Sequence, residues 1–290
     1  MDAPPSCYGS RMRPAATSVP SPFSQALRLL AERRYSAAWP LWEARREFMR
    51  PRITCPVVEY PEWSGGDPSG MRIMVVVEQG FGDQMMFARY VPRLRELGAH
   101  VTVACHPVLS RLFRVIADDW TPFYVNQPLP PADAWTFIGS LPLRLGIAAP
   151  LPAQYIGLSA PKIGGVGVAT RGSLTHPNDA NRSLPPESAA DLLQMGGSIL
   201  PEDTGAQDFI ETAVLIAKLD LVVTVDTSVA HLAGAMGVPV WVLLPDAGLD
   251  WRWNDGIRSD WYPDARLFRQ HPTEGWRRTI GDVRAALSAQ

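Results

Sequence analysis

Twice along this chain, short unbroken apolar runs alternate with helical segments, and a proline-rich break, Ala148-Ala149-Pro150-Leu151-Pro152, separates the two series. In the first series, residues 71–78, with Arg72-Ile73-Met74-Val75-Val76-Val77 at their centre, read as a buried strand. Residues 83–97 read as a helix stopped by Gly98, 100–105 as the next strand, 107–116 as a helix, and 123–126 and 135–140 as short strands. In the second series, 165–170, 221–225 and 238–244 read as strands, and 185–195, 208–219, 228–236 and 279–288 as helices. Apolar runs without period-two alternation suit strands covered on both faces, and hence parallel sheets flanked by helices. The expected fold is therefore α/β, with two Rossmann-like domains facing a cleft and ligands bound beyond the carboxyl ends of the strands.

A different grammar precedes the first strand. Residues 1–22 are rich in Pro, Ser and Ala without periodicity and read as a disordered lead-in. In 23–50, Phe23, Ala26, Leu27 and Leu30 share one helical face, and a second segment, 35–48, carries Ala38, Trp42 and Ala44. Small and aromatic residues at such a crossing are tetratricopeptide-like. One such hairpin cannot bury its apolar face alone and needs a neighbour. Pro40 predicts that the second helix starts late or kinks. The domain expectation is then a lead-in at 1–22, a hairpin at 23–50, an N-terminal Rossmann-like domain at 51–150 and a C-terminal one at 151–290. A length of 290 residues agrees with two domains of about 150 each.

Composition narrows the function classes. With 46% hydrophobic and 19% charged residues the chain is not mostly disordered, and a net charge of −2 supplies no field for nucleic acid. Cys7, Cys55 and Cys105 are too sparse for a disulfide framework or a zinc cluster, which predicts a reducing compartment. No apolar run approaches the ~18 residues of a membrane span. The opening Met1-Asp2-Ala3-Pro4-Pro5 has no signal core. The expectation is a cytoplasmic protein, free or peripheral to the inner membrane.

Four loops hold candidate chemistry. In Glu78-Gln79-Gly80-Phe81-Gly82-Asp83, Gly80 and Gly82 follow a strand and permit a tight turn with close ligand approach. Asp83 there suits either a helix cap or a general base. In Asp226-Thr227-Ser228-Val229-Ala230-His231, a strand hands over to a helix whose free N–H groups form an anion site. Ser228 and His231 lie on one face of its first turn, where His231 is either packed or ligand-facing. Arg182, in the polar stretch 176–183, either neutralises phosphate or sits in a solvated loop. Trp251 and Trp253, beside Asp250 and Arg252, either stack on a sugar or base or wedge two domains together. A nicotinamide site is disfavoured: the third glycine is missing, and Ala104-Cys105-His106 puts no acid after the second strand.

The ordered motifs Glu78-Gln79-Gly80-Phe81-Gly82-Asp83, Phe87-Ala88-Arg89-Tyr90 and Asp226-Thr227-Ser228-Val229-Ala230-His231-Leu232-Ala233-Gly234 resemble glycosyltransferase family 9, which holds the heptosyltransferases of lipopolysaccharide synthesis. Pro61-Glu62-Trp63-Ser64-Gly65, Asp250-Trp251-Arg252-Trp253 and the stretch from Trp261-Tyr262-Pro263 to Phe268-Arg269-Gln270 look like the subgroup linked to tetratricopeptide repeats. The resemblance implies a GT-B-type fold and a metal-independent, inverting transfer of a hexosyl or heptosyl group from a nucleotide-diphosphate sugar. It implies no cofactor beyond that co-substrate. Asp83 matches the family's proposed base. Asp226, Thr227 and Ser228 match its Asp-Thr-Gly donor turn, and Arg182 falls near its phosphate-binding lysine, with Gln79, Gly80 and Gly82 lining the cleft. The sequence departs from the subgroup at Thr170-Arg171-Gly172, where Trp-x-Gly is usual, and in an abbreviated 196–203 segment. The expected partners are a nucleotide-sugar donor and a bacterial surface glycan or protein acceptor, with a protein contact through the N-terminal hairpin. The alternative is a catalytically degenerate module that serves protein–protein binding.

Overall fold

Ser21 caps the first helix: its Oγ accepts from Ser24 N at 3.1 Å, with Pro22 at the first helical position. The computed structural model describes residues 20–253 and 256–289. The expected lead-in as far as residue 19, Cys7 included, lies outside the described residues, and its last residues belong to this cap and helix. Helices α1 (Pro22–Ala31) and α2 (Tyr35–Trp42) form the expected hairpin, and α3 (Arg45–Phe48) is a single turn after it. Pro40 lies inside α2, and the expected 35–48 helix breaks at Glu43 and Ala44.

The first sheet holds β1 (Arg72–Val76), β2 (His100–Cys105), β3 (Asp119–Pro122) and β4 (Ala134–Phe137) in the order β3-β2-β1-β4, all parallel. Its helices are α4 (Phe81–Ala88), α5 (Val91–Glu96), α6 (Pro107–Phe113) and α7 (Leu141–Arg144). The second sheet holds β5 (Val166–Ala169), β6 (Gly197–Ser198), β7 (Leu221–Val225), β8 (Val240–Leu244) and β9 (Ala265–Arg269) in the parallel order β6-β5-β7-β8-β9. With it come α8 (Asp179–Arg182), α9 (Pro186–Leu193), α10 (Pro201–Thr204), α11 (Phe209–Ala217), α12 (Ser228–Met236) and α13 (Gly275–Ser288). The expected α/β architecture of two parallel sheets is present. In each sheet the strand order reverses once, beside β1 in the first and beside β5 in the second. The loops after β1, β5 and β7 therefore splay apart and leave room for a ligand.

Several boundaries differ from the sequence reading. The expected 83–97 helix starts at Phe81 and divides into α4 and α5, because Pro92 has no N–H for Ala88 and sits in the first turn of α5. The strand expected at 123–126 lies at Asp119–Pro122, pairing with β2 at the sheet edge, where an aspartate and a proline are tolerated. Strands β6 and β9 were not expected; the first has two residues, and the second contains Arg266 and Arg269.

One hydrophobic core runs from the hairpin (Ala26, Leu30, Trp39, Trp42) through α4 (Met85, Phe87) into α12 (Ala230, Leu232, Ala233) of the other half. The hairpin finds its neighbour within the chain. Trp39 meets Phe87 and Trp261, and Trp42 meets Trp251, with ring centroids 5.9–6.4 Å apart. Each buried aromatic contributes about 1.5–3 kcal/mol. Trp42 Nε1 donates to Gly139 O at 3.1 Å, and Arg45, with no exposed surface, grips Glu78 Oε1 through Nη2 at 2.6 Å. Glu78 lies two residues past the end of β1, so the hairpin is anchored to the base of the loop that carries Asp83.

Candidate active site

The loops after β1, β5, β7 and β8 surround a cleft of about 580 Å³ lined from both halves of the molecule. Gln79, Gly80, Gly82 and Asp83 line it from the first half. Arg182, Asp226, Thr227, Ser228 and His231 line it from the second. Gln79 and His231, about half the chain apart in sequence, thus line one cleft.

The turn after β1 bends at an unexpected residue. Gln79, not a glycine, has the left-handed φ of 65°, a conformation that costs a non-glycine residue free energy and that clusters at functional sites. Gly82 instead provides close approach: a Cβ there would sit 2.6 Å from the His231 ring on α12. Asp83 stands at the third position of α4 rather than at its cap. Its Oδ2 accepts from Gly80 N at 3.2 Å, and its Oδ1 from Arg252 Nη2 at 2.5 Å.

In the second half, Thr227 caps α12 by accepting from Val229 N at 3.2 Å, leaving the opening turn of the helix along the cleft. First-turn N–H groups lack helical partners and, with the helix dipole, favour an anion. Arg182 crosses beneath this turn, donating to Asp226 O at 2.9 Å and to Asp179 Oδ1 at 3.3 Å. It lies over Gly172, where any side chain would collide with the guanidinium. Burial pushes the Asp226 carboxyl up from the ordinary range, against the pull of Arg252.

His231 is a packed residue at the cleft wall. It is 3% exposed, its Nδ1 pairs with Tyr262 OH at 2.9 Å, and its ring stacks on Trp253 at 5.3 Å. Burial, reinforced by Arg252, lowers its pKa well below the ordinary imidazole value, so it is held neutral. The two tryptophans offered as stacking candidates are used in packing. Trp253 has no exposed surface, and Trp251 lies against Trp42 and Trp261.

Sequence reasoning missed Arg252 and Asp250 as site residues. Asp250 Oδ2 accepts from Arg252 Nη1 at 2.9 Å, and low-dielectric surroundings push its carboxyl up to about 6 although about a third of the side chain meets solvent. The block 250–253 carried a signal, charges alternating with aromatics, but Asp83 lies 169 positions away. Arg171 on the rim pairs with Glu202. Among the described residues, no group of three or more His, Cys, Asp or Glu side chains is placed to hold a metal ion.

Residues 202–243, which contain β7, α12 and the Asp226–Ser228 turn, match the family model of glycosyltransferase family 9 (heptosyltransferase). This stretch is family 9-like. Protein FlbA of Caulobacter vibrioides is 26% identical over 329 aligned positions, covering 91% of this chain and 54% of FlbA, so the chain spans about half the length of that curated relative. Among solved structures, the glycosyl transferase family 9 protein of Veillonella parvula DSM 2008 aligns at 12% identity over 71% of this chain and 88% of its own, with a TM-score of 0.47. The ADP-heptose lps heptosyltransferase II of E. coli aligns at 15% identity over 76% and 99%, with a TM-score of 0.46. No described helix is long and apolar enough to cross a membrane.

Proposed function

We propose that this chain is a family 9-type glycosyltransferase that moves a hexosyl or heptosyl group from a nucleotide-diphosphate sugar to a hydroxyl of a glycan or protein, inverting the anomeric centre without a metal ion. The observation that carries the reading is the meeting of Asp83 from one half with the opening turn of α12 and Arg182 from the other, in a single cleft.

In this reading Asp83 takes the proton of the acceptor hydroxyl as its oxygen bonds to the anomeric carbon. The bond from that carbon to the diphosphate oxygen breaks with its electron pair, through an oxocarbenium-like state. The nucleoside diphosphate leaves against the first-turn N–H groups of α12 and the Arg182 guanidinium, which take the place of a divalent cation. A single displacement inverts the centre. The family-model match over 202–243 supports the donor side of this assignment.

The test is calorimetric titration of the whole chain with ADP, GDP, UDP and their sugars, with and without chelator. The expected result is binding of one nucleotide that chelator leaves unchanged and Arg182→Ala weakens. A folded chain that binds none of them refutes the reading.

A further inference from the structure

The transferase reading leaves Arg252 without a role. Its side chain is 7% exposed, and each of its three guanidinium nitrogens has a partner. Nη2 meets Asp83 Oδ1 at 2.5 Å, Nη1 meets Asp250 Oδ2 at 2.9 Å, Nε points at the Met86 sulfur at 3.1 Å, and its flat face lies 4.9 Å from the Trp251 ring centroid. Asp83 and Met86 belong to α4 in the first half, whereas Asp250, Trp251 and Arg252 follow β8 in the second. One residue therefore fixes the carboxylate of one half from the loop of the other.

We propose that Arg252 is a positioning residue for Asp83, oriented by Asp250, and that it sets the angle at which the Asp83 carboxylate meets an acceptor hydroxyl. This rests on the transferase reading of the cleft. A carboxylate at the third position of a short helix has freedom about χ1 and χ2, and the Gly80 N–H holds one oxygen at a longer 3.2 Å. The charge-assisted bond to Arg252 restrains the second oxygen. The planar guanidinium is itself restrained by Asp250 on one edge and Trp251 on one face, so its direction is inherited from the loop after β8. Arg252 then acts through Asp83 and not on the donor. Phosphate binding stays with α12 and Arg182.

The test uses the whole chain with Arg252→Ala and Asp250→Asn, and ADP-, GDP- and UDP-linked sugars as probes. One readout is nucleoside diphosphate affinity by calorimetry. The other is nucleoside diphosphate release at saturating donor, with water as acceptor. Arg252→Ala is expected to bind within threefold of wild type and to turn over on the order of 100-fold more slowly, as a misplacement of about 1 Å produces. Millimolar guanidinium ion is expected to recover part of that rate. Asp250→Asn, which keeps the cation and loses its orientation, is expected to lose about tenfold in turnover with affinity retained; it carries the test if the alanine variant fails to fold. Wild-type turnover in both variants overturns the proposal. So does affinity lost in step with turnover, which makes Arg252 a phosphate ligand, or a rate loss that guanidinium does not relieve in a variant of lowered thermal midpoint, which makes it structural. A wild-type chain that binds no nucleotide refutes the transferase reading before any variant is measured.

Discussion

Asp83 answers to two donors at once, the Gly80 N–H of its own helix and the Arg252 guanidinium of the opposite half. One side chain therefore both caps its own helix and ties the two halves together. Asp83→Asn keeps the shape and is expected to lower turnover by about 10²–10⁴-fold while nucleotide affinity stays within about threefold, measured by steady-state kinetics beside calorimetry. Asp250 carries a pH signature. Its folded-state pKa of about 6 lies above its ordinary 3.8, so between those values the folded chain holds a proton that the unfolded chain has lost. Its contribution to stability accordingly falls as pH rises through that window. Thermal midpoints taken from about pH 4 to pH 7 should decline less steeply in Asp250→Asn than in wild type. An equal slope would mean that Asp250 ionises normally. Much of this site was legible: Gly80, Gly82, Asp83, Asp226, Thr227, Ser228 and Arg182 all line the cleft. Arg252 was not, because an ion pair is a relation between two residues, and nothing local in either loop records that the two meet across 169 positions.

At the scale of elements, the N-terminal hairpin packs against both halves of the molecule. Its apolar face is consumed by Phe87, Trp251 and Trp261, and its polar edge joins a buried network through Arg45, Glu43, Ser140 and Glu78. Glu78 is 2% exposed in its side chain, and its Oε2 finds no partner among the described residues. Burial pushes this carboxyl up, with the neighbouring Arg45 pulling the other way. Removing Arg45 strands Glu78, and breaking such a buried pair by deleting one partner costs about 3–5 kcal/mol. Arg45→Ala should show that loss in urea denaturation, and Glu78→Gln in the same background should return part of it. An Arg45→Ala midpoint equal to wild type would show that the hairpin is a loosely attached appendage.

Across the whole molecule, the two sheets share a core beneath the cleft they line. Helix α4 packs on α12 across Gly82 and His231, Tyr155 OH donates to Met85 O at 2.7 Å, and Arg89 donates to Leu151 O and Trp261 O at 2.8 and 3.0 Å. A shared core predicts cooperative unfolding, so scanning calorimetry should give one transition whose calorimetric and van't Hoff enthalpies agree. Two resolved transitions would mean that the halves are independent. The same packing makes Gly82 a spacer between halves, where an added methyl must push α4 away from the His231 ring.

The order of strands and helices, the position of the hairpin and the loops that carry the site are local properties, written in runs of apolar residues, glycines and prolines that act within a few residues of themselves. That is why 221–225 and 228–236 could be read directly, whereas β9, with Arg266 and Arg269 among its five residues, could not. Its strand state comes from pairing with β8, from Val240 with Ala265 to Leu244 with Arg269. Long-range packing also assigned the ambiguous side chains. Trp253 is buried against His231 and Tyr262, His231 is packed between Tyr262 and Gly82, and Asp83 became a tethered carboxylate because the loop after β8 reaches it across the cleft. Periodicity records which way a residue faces its own element; what it meets there depends on which distant element arrives, and that is settled by packing alone.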